Sequence, residues 1–163
     1  MAKKPVRECQ PCTACCDGWV QMRIGEAYVY PGAPCPHSTG GGCDDYENRP
    51  TNPCRNFNCG WVIEGSPLPE WFKPDNAKVI VIFDKIRWQG LPVDVAVPVG
   101  KRIPPRALHW LQDFAEQQGR PLLYAEQYLI DGVMQAQQNY LGYGPPAFQQ
   151  WLQQRQSRGE KLW

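Results

Sequence analysis

A chain of 163 residues with a formal net charge of +1 is long enough for one domain that buries roughly 70 % of the surface its unfolded chain exposes. The near-zero charge gives no indication of a nucleic-acid or membrane-surface partner, and no stretch approaches the roughly 20 apolar residues of a membrane helix. A protein of this size needs no cross-links to compensate for a small core, so its eight cysteines require another explanation.

Residues 1–8 are predicted to form a flexible basic lead. They contain Lys3, Lys4 and Arg7 but lack the apolar run of roughly 7–15 residues that a secretory signal needs. We therefore expect a cytoplasmic protein, and in that compartment thiols stay reduced.

All the cysteines lie between residues 9 and 59, which indicates one shared chemical role. The eight are Cys9, Cys12, Cys15, Cys16, Cys35, Cys43, Cys54 and Cys59. Thiols gathered in this way hold either metal or disulfides, and a reducing compartment argues against disulfides. Residues 9–60 are therefore predicted to form a loop-rich metal-binding module in which all eight cysteines are ligands.

The spacing of the first cysteines favours metal. Cys9, Cys12 and Cys15 follow one another with two residues between them, and this spacing lets a tight turn aim two sulfurs at one ion about 2.3 Å from each. Cys15 and Cys16 are adjacent, and neighbouring side chains tend to point apart, so we expect them to serve different sites. A vicinal disulfide is the alternative, and it requires a strained geometry.

Eight thiols divide into two four-cysteine sites, and such sites suit zinc or an iron–sulfur cluster. About two metal sites are expected, with the choice between zinc and iron–sulfur left open. His37 is expected to be a loop histidine near the site and not a ligand, because enough thiols are available. Tyr46 and Arg49 either donate hydrogen bonds to thiolates or simply pack at the surface.

Further landmarks follow the first four cysteines: Cys35, then Gly42-Cys43-x2-Tyr46-x2-Arg49-Pro50, then Cys54-Arg55-x-Phe57. With these the chain resembles the CxxCxxCC (YkgJ-type) cysteine-cluster family, described as zinc- or iron-chelating domains. The resemblance covers about residues 9–59 and implies metal chelation, with no assigned reaction in most members. Three residues separate Pro50 from Cys54, where the family pattern has two, and Cys59 extends the usual set to eight.

Residues 61–163 are predicted to form an α+β body that packs with the module into one compact unit. Strands over 79–88 and 91–99 form a hairpin around Gln89-Gly90. The alternation of apolar residues from 91 to 99 indicates a half-buried strand, and its two prolines, Pro92 and Pro98, indicate an edge strand.

Two helices complete this body. Pro104-Pro105 opens the first and Gly119 closes it, and Pro145-Pro146 opens the second. Between them, Asp131-Gly132 favours the turn of a second hairpin, although the Ala, Glu and Gln content of residues 121–141 favours a helix instead. The expected fold is α+β, with the cysteine module packed on a small antiparallel sheet of hairpins and two helices.

No catalytic constellation stands out. With His37 and His109 as the two histidines, a Cys–His nucleophile would take a cysteine from the metal set. We expect a metal-binding protein, not an enzyme, whose ions order the N-terminal third. The alternative is an iron–sulfur protein of electron transfer or redox sensing, and a secreted disulfide scaffold is a third class. No protein partner is indicated.

Overall fold

A computed structural model describes residues 7–9 and 11–163 of the chain. The predicted flexible lead over residues 1–8 therefore lies largely outside the described residues.

The described end of that lead is fastened to the body. The Arg7 guanidinium donates hydrogen bonds to the carbonyls of Trp61 at 3.0 Å and Leu68 at 2.7 Å. Its Nε lies 3.0 Å from a carboxylate oxygen of Glu70. Three acceptors from one distant loop thus hold the Arg7 side chain.

Pairs of strands and single α-helices alternate along the described residues. The strands are β1 (Met22–Ile24), β2 (Ala27–Val29), β3 (Val79–Trp88), β4 (Leu91–Pro98), β5 (Leu122–Ile130) and β6 (Val133–Tyr143). The α-helices are α1 (Pro74–Ala77), α2 (Pro105–Gln118) and α3 (Pro146–Ser157). Single helical turns of the 3-10 type cover Tyr46–Asn48 and Glu70–Phe72, and a π-helical turn covers Thr51–Arg55.

The main sheet has the strand order β3-β4-β5-β6. Both predicted hairpins are confirmed, β3 with β4 and β5 with β6, each antiparallel. Their two-residue turns, Gln89-Gly90 and Asp131-Gly132, have positive φ at both positions, which matches the twist of tight hairpins. The α+β class is also confirmed, but the sheet is mixed and not purely antiparallel, because β4 pairs with β5 in parallel.

The prediction that residues 91–99 form an edge strand is wrong, since β4 lies between β3 and β5. Only the segment Asp94–Ala96 pairs with β5. Pro92 and Pro98 lie outside that segment, so their missing N–H groups interrupt no bond to β5. The strand is also not half-buried, because Val93–Pro98 is buried throughout.

The two faces of the sheet carry two separate hydrophobic clusters. On one face α2 contributes Ala107, Leu111 and Ala115. The opposite face is covered by Phe148 and Leu152 of α3, together with part of the cysteine-rich segment. This double cover explains why alternate residues of β3 and β4 are buried in different clusters and why the central strand is apolar on both sides.

The helices begin and end close to the predicted residues. Helix α2 has proline at its first position and Gly119, with φ 64°, at its C-terminal cap, and α3 begins at Pro146. The short β1–β2 hairpin was not predicted, and it is closed by Gly25 with φ 61°. In the part of the chain that the structure describes, no helix combines the length and hydrophobicity that crossing a membrane requires.

Glutamine side chains cover the outer strand β6. Three of them donate amide hydrogen bonds to its carbonyls: Gln21 to Ala136 (2.5 Å), Gln149 to Gly142 (2.6 Å) and Gln156 to Tyr140 (3.1 Å). A strand edge whose carbonyls are occupied in this way is a poor template for a further strand. Gln21 precedes β1 directly, so this contact also fastens the cysteine-rich segment to the sheet.

Candidate metal centre

The eight cysteines carry free thiols and lie almost entirely on loops. One exception is Cys54, which lies in the π-helical turn. Two of the eight, Cys12 and Cys59, pack against the core cluster on the α3 face of the sheet. On loops, the backbone can turn several sulfur atoms toward one another. The core contacts of Cys12 and Cys59 fix the place in the fold where these two sulfur atoms lie.

The first group of thiols surrounds one small cavity of about 20 Å³, and its members are Cys9, Cys12, Cys15 and Cys59. Ala14, Val62 and Ile80 form much of the apolar wall. A turn in which the Cys12 N–H donates to the Cys9 carbonyl at 3.0 Å brings the first two together. The volume is that of about one water-sized sphere.

Cys59 reaches this cavity because its neighbour is held against β3. The Gly60 N–H donates to the carbonyl of Val81 at 2.5 Å. A Cβ at position 60 would stand 2.8 Å from that carbonyl oxygen and 2.7 Å from the Phe83 ring, so the approach requires glycine. Cys59 thus lies beside Cys9 and Cys12 although it is distant from them in the sequence.

Backbone amides point at two sulfurs of the first group. Amide N–H groups of Trp61 and Val62 hydrogen-bond to Cys59, and those of Ala14 and Asp75 hydrogen-bond to Cys12. In both cases burial raises the pKa of the thiol and these amides oppose the rise. Such N–H donors are what ligating thiolates commonly receive from the surrounding protein, and sequence reasoning missed them because they belong to the backbone.

The metal-free thiols of this group are neutral near pH 7. Partial burial raises the pKa of Cys9 to about 11, and the charges of Cys12, Cys59 and Cys16 add to the effect while that of Lys73 opposes it. Lys73 also lines the cavity and lies over the Trp61 ring, 5.6 Å from its centre. Nothing in the sequence singled out this lysine, because it comes next to the thiols only through the fold.

The second group of thiols is Cys16, Cys35, Cys43 and Cys54. The Cys35 N–H donates to the Cys16 carbonyl at 2.9 Å. Cys43 forms an isolated antiparallel bridge with Ser38, whose N–H donates to the Cys35 carbonyl. Burial raises the pKa of Cys54, and the charges of the other three thiols raise it further, which puts all four within electrostatic range.

The two groups meet at Cys15 and Cys16. The Cys15 thiol hydrogen-bonds to the Cys16 sulfur, and this contact lowers the pKa of Cys16 to about 7 and raises that of Cys15. Their side chains therefore do not point apart as the sequence led us to expect. Cys15 nevertheless lines the first cavity, whereas Cys16 is joined through its backbone to Cys35.

The thiols are near one another without forming a finished coordination shell. Among residues 7–9 and 11–163, no three His, Cys, Asp or Glu side chains are grouped so that they could hold a metal ion as they stand. The first cavity nevertheless fits a single thiolate-bound ion in size, in its sulfur donors and in the amides aimed at two of them.

The remaining candidates have partners of their own. His37 Nδ1 lies 2.8 Å from a carboxylate oxygen of Asp44, at the exposed surface. The Arg49 guanidinium stacks on the Tyr46 ring, 3.7 Å from its centre. The Arg49 side chain also donates to the Tyr46 carbonyl at 2.7 Å. This pair thus packs on itself at the surface, and the charge of Arg49 also opposes the rise in the pKa of Cys54.

A larger hollow of about 440 Å³ lies open to solvent beside α2 and β6, and Glu116, Arg120 and Tyr143 are among its lining residues. The guanidinium there is already paired, with Arg120 Nε 2.9 Å from Asp94. Glu116 accepts a hydrogen bond from the Tyr143 hydroxyl. Its polar groups thus satisfy one another, and the hollow presents no convergent set for a ligand.

The fold and the two thiol groups together define an α+β protein with a cysteine-rich lobe on one face of a mixed sheet. No family model, curated protein or solved structure matches the chain. The functional argument therefore depends on the thiol groups themselves.

Proposed function

We propose that this protein binds two metal ions through its eight cysteines and uses them chiefly to order the N-terminal third of the chain. The observation that carries the proposal is the first cavity, which three thiols close together in the sequence and one distant thiol surround. Its members would be Cys9, Cys12, Cys15 and Cys59. The second ion would be held by Cys16, Cys35, Cys43 and Cys54.

Metal accounts for this arrangement better than disulfides do. A disulfide joins two sulfurs in one specific geometry, whereas four thiols around one cavity match the ligand count of a structural zinc or iron site. The resemblance to the CxxCxxCC family supports the same chemistry. The proposal also places the protein in a reducing compartment such as the cytoplasm, where the thiols stay available.

Zinc is the metal that the first cavity favours. A cavity of about 20 Å³ accommodates one ion with its sulfur ligands around it. An iron–sulfur cluster brings several inorganic atoms to the same place and would have to push the apolar walls apart. When bound, such an ion joins loops that have little regular structure, so its binding energy becomes folding energy.

Metal analysis of protein purified without oxygen tests the proposal. We expect about two zinc ions per chain and no visible absorbance, from the ligand count. A brown protein whose visible absorbance is bleached by dithionite would instead indicate the iron–sulfur alternative. Protein that binds neither metal, or whose thiols are oxidised in pairs as isolated, would contradict the proposal.

A further inference from the structure

We infer that Lys73 is the counter-ion of the first thiol group: its ammonium offsets the negative charge that four thiolates leave around a bound ion, and it thereby strengthens metal binding at that cavity. This inference rests on the proposed function. Lys73 is not itself a ligand. It acts through the thiolates, so it is a positioning residue of the site.

The charge of the occupied cavity is what requires a counter-ion. Four thiolates and one Zn²⁺ carry a net charge of about −2, from four negative and two positive charges. The cavity has apolar walls that include Ala14, Val62 and Ile80, and Ala14 and Ile80 are buried core residues. A charge beside such walls loses part of its hydration, and an opposite charge nearby compensates for that loss.

Lys73 is the cation that the cavity offers. Among the described residues that line the cavity, it carries the one positively charged side chain. Lys73 is half-buried, and its ammonium lies 5.6 Å from the centre of the ring of Trp61, another lining residue. Burial and the neighbouring thiols raise the pKa of Cys9 to about 11, and the charge of Lys73 opposes that rise. The ammonium therefore acts on the sulfurs of this group through its charge.

Arg7 also lies near Trp61, but it serves a different purpose. Its guanidinium is 4.8 Å from the centre of that ring, and it does not line the cavity. Its Nε is paired with Glu70 at 3.0 Å, and its other nitrogens donate to two carbonyls. The charge of Arg7 is thus directed to the loop that it fastens, which leaves Lys73 as the cation of the cavity.

The backbone of Lys73 is fixed by the body of the protein. Its carbonyl accepts the N–H groups of Asn76 at 2.9 Å and Ala77 at 2.8 Å, at the start of α1. The next residue, Pro74, is buried and lines the cavity. Helix α1 leads directly into β3, whose Ile80 forms part of the cavity wall. The packing of α1 and β3 therefore places this lysine beside the thiols.

Asp75 acts on the same thiol group in two opposite ways. Burial raises the pKa of Cys12, the Asp75 N–H opposes the rise by hydrogen bonding to Cys12, and the charge of the Asp75 carboxylate adds to it. That carboxylate is exposed, so solvent weakens its effect. Lys73 and Asp75 thus bring opposite charges to one site. Neutralising them one at a time should change the zinc affinity in opposite directions, which a loss of packing would not do.

The test measures zinc affinity of the full chain at low ionic strength by competition with a chromophoric chelator. The ion of the first group is the one that Cys9→Ser loses. Lys73→Met keeps a side chain of similar length and should weaken binding of that ion roughly tenfold, from Coulomb's law for one charge about 6 Å from a doubly charged site in water. Lys73→Arg keeps the charge and should bind within about twofold of the unaltered chain.

The matched control is Lys101→Met. It removes an equal charge from an exposed lysine that does not line the cavity, and it should leave the zinc affinity unchanged. Asp75→Asn removes the carboxylate charge and keeps the N–H that bonds to Cys12. It should tighten zinc binding by about twofold, as expected for an exposed charge. Because Asp75 is exposed, this variant also decides the question if Lys73→Met proves unstable.

Ionic strength separates an effect of charge from an effect of packing. In about 1 M sodium perchlorate the Debye length falls to about 3 Å. The difference in zinc affinity between Lys73→Met and the unaltered chain should then narrow from roughly tenfold to about threefold. A purely structural role of the lysine side chain would leave that difference unchanged.

The outcomes separate the inference from the proposed function. Equal zinc affinities of Lys73→Met and Lys101→Met would overturn the inference, as would a loss that Lys73→Arg shares or that salt does not reduce. An unchanged or weaker affinity in Asp75→Asn would do the same. In each of these cases zinc binding itself would stand. A chain that binds no zinc would overturn the proposed function and this inference with it.

Discussion

At the scale of single residues, Gly60 decides where a thiol stands. Cys59 is joined to the first group because the next residue lies against β3, with its N–H bonded to the Val81 carbonyl. A glycine is required there for space and not for its dihedral freedom, since an added Cβ would meet a backbone oxygen at 2.8 Å. The position of the Cys59 thiol thus depends on the absence of a Cβ atom at residue 60.

We expect Gly60→Ala to destabilise the protein by about 1–3 kcal/mol, as overpacking usually does, and to weaken the binding of one zinc ion. Gly41→Ala is the matched control, because a Cβ there has nothing within 4 Å, and it should leave both properties unchanged. Zinc stoichiometry and thermal unfolding check the pair. Identical behaviour of the two variants would show that Gly60 does not position Cys59.

The thiol pKa values predict how metal binding depends on pH. Burial raises the pKa of Cys12 and Cys59, and raises that of Cys9 to about 11. Below those values the metal-free thiols hold protons, so an ion must displace them to bind. Raising the pH weakens this competition, and lowering it strengthens the competition.

Apparent zinc affinity should therefore rise with pH, by about tenfold per pH unit for each proton released. The second group should release fewer protons near neutral pH, because the pKa of Cys16 is lowered to about 7 and its thiol is partly ionised already. Calorimetric titration in two buffers of different ionisation enthalpy counts the protons. An affinity that does not change between pH 6 and pH 8, roughly the range around neutrality, would contradict this assignment.

At the scale of elements, the buried carboxylate of Asp94 connects three parts of the sheet. It lies in the interior strand β4, accepts the Asp84 N–H of β3 at 2.9 Å and pairs with Arg120 before β5 at 2.9 Å. Burial raises its pKa, and the hydrogen bonds and the guanidinium oppose the rise. A buried carboxylate is tolerated in this position because its hydrogen-bond and ion-pair partners compensate for the loss of water.

Asp94→Ala should cost about 2–4 kcal/mol, since it leaves a partly buried guanidinium and a backbone N–H without their acceptor. The control is Arg87→Ala, which breaks an exposed ion pair with Asp84 and should cost less than about 1 kcal/mol. Urea unfolding measures both variants. Equal losses would mean that the buried pair contributes no more than the exposed one.

The hairpins could be predicted and the interior position of β4 could not, for physical reasons that differ. Gln89-Gly90 and Asp131-Gly132 select tight turns locally, so a short stretch of sequence contains the whole signal. Pairing of β4 with β5 is parallel and short, and it needs the crossover through α2. Pro92 and Pro98 predicted an edge strand because a proline cannot donate a hydrogen bond to a neighbouring strand. The sequence does not show that the residues of β4 that pair with β5 lie between these two prolines.

At the scale of the whole molecule, the cysteine-rich lobe and the sheet form one packed unit. Cys59 and Trp61 line the first cavity, where the lobe packs against the sheet. The Gln21 side chain of the lobe also donates a hydrogen bond to the Ala136 carbonyl of β6. The sequence identified the thiols as a cluster, but it could not divide them into groups. Cys59 joins Cys9 only after a loop of some fifty residues closes, and such a contact leaves no mark on local spacing.

Removing the metal should separate the behaviour of these two parts. With a chelator present, we expect the amides of residues 35–58 to exchange hydrogen at least about tenfold faster, because local opening costs little where few apolar side chains are buried. Amides of β4 and β5 should keep their protection, since both faces of the sheet are packed without help from metal. Hydrogen exchange followed by mass spectrometry resolves the two regions in one sample.

On metal removal, hydrogen exchange of the residues around the first cavity should accelerate less than that of residues 35–58 and more than that of β4 and β5. Their walls belong to the core, so chelation removes the sulfur cross-link without removing the packing, and protection near Ile80 should fall little. Loss of protection throughout the sheet would mean that the ions stabilise the whole molecule and not the lobe. Unchanged exchange in residues 35–58 would mean that these loops order themselves, which would remove the structural reason for gathering eight thiols at this end of the protein.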